Sequence, residues 1–113
     1  MSVHQFKYFN GKEANVYLQK ENPKYQDWEV ITFFYSALHL VESYCESHGI
    51  PIPKSHKARE DVVHRHLNEI EEDYLNLYTL SKNARYESEI KKIDLDGALG
   101  YYSTIESEIL PLI

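Results

Sequence analysis

A single cysteine, Cys45, stands among the 113 residues, which excludes an intrachain disulfide and any multi-cysteine zinc site. Long apolar runs are missing too: none approaches the roughly 18–20 residues needed to span a bilayer. The opening stretch, MSVHQFKYFNGKE, lacks the basic leader and apolar centre of a signal peptide. These absences predict a protein of the reducing cytoplasm with no membrane segment. Positive charge is in the minority, with 12 Lys and Arg against 18 Asp and Glu and a formal net charge of −6. That balance argues against a dedicated duplex-binding protein, which is normally basic, but leaves room for a small local cationic patch. Glycine and proline number four each; they are clustered and act as punctuation between unbroken stretches.

What the chain has in excess is tyrosine, ten against four phenylalanines. Each brings core-sized area and a hydroxyl that needs a hydrogen bond. So many predict either packing along core edges or a partner surface. The length suits one domain, residues 1–113, with a modest core.

Spacing of the apolar residues predicts helices throughout. Asn10-Gly11 breaks or kinks the first segment and leaves a helix over about residues 14–21. Asn22-Pro23 opens the next element, Pro23 suiting a first turn. At roughly 100° per residue, Val30, Ile31, Phe34, Ala37, Leu38, Val41, Tyr44 and Cys45 fall on one arc of a long amphipathic helix ending at Ser47. His48-Gly49 stops it, and Ile50-Pro51-Ile52-Pro53 forms a stiff connector. Ser55 is placed to N-cap the following helix. Val62, Val63, Leu67, Ile70, Tyr74, Leu77, Tyr78, Leu80 and Ala84 keep helical spacing to about Tyr86, as one helix or as two bent near residues 66–69. Glu69, Glu71, Glu72 and Asp73 read as a solvated acidic face. A polar link over 87–96 precedes a last helix near 95–110, ended by Pro111, in which Gly97 and Gly100 permit close approach to a neighbour. The expected fold is all-α, a compact antiparallel bundle of four to five helices.

Several titratable groups sit on or beside these apolar stripes, where burial requires partners. His56, Arg59, Val63 and His66 share one face, whereas His64 lies roughly 140° from Arg59. Tyr74, Tyr78, Ser81 and Arg85 form a second stripe, and Trp28, Tyr35, His39 and Glu42 line the margin of the long helix. If these helices are neighbours, the margins converge on one polar cluster. Each member also has a structural reading: His39 as a core-edge histidine, His56 as an aid to capping, Arg85 as the partner of a glutamate such as Glu42. A metal centre needs three or four convergent ligands, and no such spacing occurs, so neither metal nor other cofactor is expected. Ser81 has no nucleophile-elbow context, and Cys45, central on its arc, reads as an inert buried thiol.

The order Trp28, FYSALHLVESY, a proline-containing turn, His56-x-x-Arg59, then Tyr74, Tyr78 and Ser81-x-x-Ala84-Arg85-Tyr86 resembles bacterial HEPN-domain proteins over about residues 24–90. The resemblance implies a HEPN-like helical bundle, commonly a homodimer, often belonging to toxin–antitoxin or phage-defence systems. Active members are metal-independent endoribonucleases with an arginine followed, after four to six residues, by a histidine. Arg59 has that spacing with both His64 and His66, although Glu60 follows the arginine where the active pattern favours Asn, Asp or His. In that chemistry histidine supplies acid and base near neutral pH, and the arginine fork holds the scissile phosphate. Candidate catalytic residues are therefore Arg59, His66 and His64, and candidate binding residues are His39, His56, Ser81, Arg85 and Tyr86. Three readings stand: a ribonuclease or toxin acting on RNA, a non-catalytic module that dimerises or binds an antitoxin or another operon-encoded protein, and a nucleotide- or small-molecule-binding bundle.

Overall fold

The computed structural model describes residues 26–86 and 90–113, apart from the side chain of Tyr86. The predicted helix over 14–21, its Asn10-Gly11 break and the Asn22-Pro23 start lie outside the described residues. Within them every regular element is helical.

Helix α1, Gln26–Ser47, has 22 residues and carries Asp27 and Glu29 in its first turn, where carboxylates complement the helix dipole. Its arc is the floor of the core: Val30, Phe34, Ala37, Leu40, Val41 and Cys45 are wholly buried. Gly49 at φ +69° ends it with a Schellman-type turn, in which the Ile50 N–H donates to the Cys45 carbonyl at 2.9 Å. Burial, and then the Glu42 carboxylate, push the Cys45 thiol pKa up, as an inert core cysteine requires.

Helix α2, His56–His66, is capped by Ser55, whose Oγ accepts from the Ala58 N–H at 3.1 Å. The stretch read as one helix or two is two. Leu67 leaves helical geometry at φ −132°, ψ 39°, a short 3₁₀ turn covers Asn68–Ile70, and α3 runs over Glu71–Tyr86. Neither glycine nor proline causes the break. Val63, Leu67, Ile70 and Tyr74 all reach the same core across it.

Helix α4, Lys92–Ile109, starts with the Asp94 carboxylate accepting from the Lys91 N–H at 3.1 Å. It packs against α1 and α3 through Ala98, Tyr102, Ile105 and Ile109, and Tyr102 meets Phe33 ring to ring at 5.2 Å. Pro111 lies in a closing 3₁₀ turn, Leu110–Leu112. There the Leu112 carbonyl accepts from His48 Nε2 at 2.8 Å, tying the chain's end to the end of α1. The expectation for the glycines fails. Among the described residues a Cβ at Gly97 would meet only the Tyr101 ring, at 3.8 Å, and one at Gly100 would meet nothing within 4 Å. Neither therefore mediates a close helix approach. The described part is thus a globule of four helices with no strand, and no helix in it is long and apolar enough to cross a membrane.

Candidate functional site

The polar groups gather where α1, α2 and α3 meet. Arg59, on the inner face of α2, is only 8% exposed, and Glu42 of α1 only 7%. Arg59 Nε lies 3.3 Å from Glu42 Oε1, and His39 Nδ1 lies 3.4 Å from Glu42 Oε2. One carboxylate thus serves two neighbours from two helices, the arrangement that makes a buried charge tolerable. The guanidinium also reaches back along its own helix, with Nη1 at 3.0 Å from His56 Nδ1. An arginine can only donate, so His56 Nδ1 is an acceptor and the neutral ring carries its proton on Nε2. Tyr74 is wholly buried, its hydroxyl beside the same guanidinium. Burial pushes its pKa up to about 12 despite the opposing pull of Arg59.

Above this ionic layer lies an aromatic one. The Tyr78 ring stacks on His56 at 4.7 Å and on Phe34 at 5.1 Å. Lys82, one turn further along α3, sets its ammonium 4.6 Å from the Tyr78 ring centre. Arg85 lies over the Tyr35 ring of α1 at 5.1 Å. Both contacts have cation–π geometry. Burial, followed by the charges of Arg59 and Arg85, drives the His56 pKa below its ordinary value; Lys82 adds to the shift and Glu60 opposes it. These influences favour the neutral imidazole, consistent with the tautomer that Arg59 dictates.

The sequence-predicted residues divide. His56, Arg59 and Arg85 share this junction, with His39 joined to it through Glu42. Ser81 is wholly buried, and its hydroxyl has no hydrogen-bond partner among the described residues. The side chain of Tyr86 lies outside the described residues. His64 and His66 are elsewhere: both are exposed, and His64 Nδ1 is 2.7 Å from Glu71 Oε2. They line a groove of about 460 Å³ at the α2–α3 break, together with Arg65, Glu69 and Glu108. Arg59 is not part of that groove. His66 keeps its in-line position two turns from Arg59, but α2 ends there and the ring faces no core. Glu42 is the partner of Arg59 and His39, while Arg85 takes the aromatic face of Tyr35. Among the described residues no group of three or more His, Cys, Asp or Glu could hold a metal ion.

Sequence reasoning missed Lys82 and the pairing of Glu42 with Arg59. Lys82 falls on the exposed side of its helix, and the signal available was its spacing, four residues after Tyr78, which lets a lysine stem fold back over a ring. No protein-family model, curated protein or solved structure matches the chain.

Proposed function

We propose that the chain is a HEPN-like cytoplasmic helical module that works by binding, either to a second copy of itself or to a protein encoded beside it, and that it does not cleave RNA. One observation carries this reading. The arginine of the nuclease-like spacing is locked inside the protein between Glu42 and His56, while the histidines at that spacing line a separate groove. A buried arginine already ion-paired with an internal carboxylate and bonded to an internal imidazole is poorly placed to clamp a scissile phosphate. Its role here is to hold α1 and α2 together.

The ribonuclease reading retains one favourable feature: His64 and His66 are accessible and have Arg65 beside them, a set with acid, base and phosphate-binding capacity. The two readings separate in one experiment. Purified protein is incubated with total RNA in EDTA alongside Arg59→Ala and His66→Ala variants, and its mass is followed by light scattering over a concentration series. RNA left equally intact by all three proteins, with a wild type that dimerises or captures its operon neighbour, is the expected result. Cleavage by the wild type that His66→Ala abolishes overturns it.

A further inference from the structure

Helix α2 is held to the protein differently from its neighbours. Only Arg59 and Val63 of its 11 residues are buried, so a single valine supplies its fully buried apolar contact. Polar and aromatic contacts supply the rest. Arg59 Nε lies 3.3 Å from Glu42 Oε1 of α1. The His56 ring stacks on Tyr78 of α3 at 4.7 Å, and His64 Nδ1 meets Oε2 of Glu71, the first residue of α3, at 2.7 Å. Both flanks of α2 depart from regular structure: residues 50–54 form the proline-containing connector, and Leu67 leaves helical geometry. A segment with few buried apolar groups opens at lower cost than the core around it. Once undocked, a helix this short does not keep its own hydrogen bonds in water.

We infer that α2 is a flap hinged at Leu67 and latched at His56, and that acid releases the latch, uncovering Glu42 and the Tyr78 ring. The latch depends on a neutral imidazole. Arg59 Nη1 donates to His56 Nδ1 across 3.0 Å, and a proton on that nitrogen sets donor against donor. The surroundings weigh the same way. Burial first, then Arg59 of the same helix and Arg85 of α3, oppose a positive ring; Glu60 favours one, and Lys82 opposes it again. Tyr78 and Phe34 face the ring with uncharged surfaces, and behind Arg59 stand Glu42 and His39 of α1. At the far end of α2 the sign is reversed. A protonated His64 bonds Glu71 more strongly, and its neighbours in the groove there are Arg65, His66, Glu69 and Glu108. Acid thus loosens the latch and tightens the hinge.

Hydrogen exchange of the full chain at pH 7.5 and pH 5.5, expressed as protection factors so that the intrinsic rate cancels, tests this. At both values the α2 amides from Glu60 to Val63 should be at least about tenfold less protected than the α1 amides from Phe34 to Val41, since α2 opens without the core. In acid the α2 amides should lose protection severalfold. The ceiling is about tenfold, the ratio of charged to neutral imidazole in the open flap at pH 5.5. His56→Gln keeps an acceptor for Arg59 and should remove the acid loss, whereas His64→Gln should leave it in place. Two results overturn the assignment: α2 amides as protected as those of α1, which means that α2 opens only with the whole fold, or an acid loss in α2 that His56→Gln leaves undiminished.

Discussion

Arg59 and His56, one turn apart on α2, are joined by a guanidinium N–H that donates to an imidazole nitrogen across 3.0 Å. This bond does two things together. It satisfies a donor that α2 carries into the core, and it determines which nitrogen of His56 remains a donor at the surface. The carboxylate behind it, Glu42, fixes the guanidinium in turn, so the tautomer of a partly exposed ring on α2 is decided by a residue of α1.

Removing one member of the Glu42–Arg59 pair strands the other. Arg59→Ala should destabilise the fold by about 3–5 kcal/mol, the usual effect of leaving a buried charge uncompensated. The double change Arg59→Met with Glu42→Leu should recover most of that loss. Urea denaturation of the single and double variants checks this, and losses that simply add would contradict coupling of the two residues.

The pH response of His56 has a definite sign. Its folded pKa lies below the ordinary value of 6.5, so the unfolded chain takes up the proton first. The stability it contributes is complete above pH 6.5 and is lost as the pH falls through the folded value. Melting temperatures measured from pH 7.5 to pH 5 should therefore fall more steeply for the wild type than for His56→Gln, which keeps an acceptor for Arg59. Parallel curves would show that this ring does not report the charge around it.

Gly100 lies inside α4, and a methyl group there would have no neighbour within 4 Å among the described residues. Gly100→Ala should stabilise the protein by about 0.5–1 kcal/mol through backbone entropy alone, visible as a higher thermal midpoint by circular dichroism. A lower midpoint would place an unseen partner against that face.

The Ser55 cap is the counterpart at the start of α2. Ser55→Ala should cost about 1 kcal/mol and Ser55→Asp much less, because only the former removes the acceptor for the Ala58 amide. As α2 also carries His56 and Arg59, the alanine variant should loosen the stacking of His56 on Tyr78, measurable by ring-proton shifts.

Local features of this fold were legible in the residues, and relationships between helices were not. The buried arc of α1, its end at Gly49 and the Ser55 cap follow from spacing and from side-chain chemistry within a few positions. The break at Leu67 was ambiguous because Val63, Leu67 and Ile70 fit an unbroken helix as well as a kinked one, and no glycine or proline marks it. The partner of Arg59 was ambiguous for a similar reason: Glu42 lies 17 positions earlier, and nothing local to either residue records the contact. His66 shows the same limit. Its angular position was read from helical geometry, but whether that face meets protein or solvent depends on where the helix stops.

The kink at Leu67 has a consequence for how this architecture can vary. Because the ladder of helical bonds lapses there, the rotational setting of α3 is not handed on from α2; it is set by the inward row Tyr74, Leu77, Ser81 and Ala84. A residue gained or lost at this joint can be absorbed by the non-helical turn, leaving the edge of α3 that faces α1 and α2 in place. The same change within α2, between Arg59 and Val63, would swing one of them out of the interior by more than a quarter of a revolution. Length changes are therefore expected to collect at the joint, and the stretch from Ser55 to Val63 to keep its count.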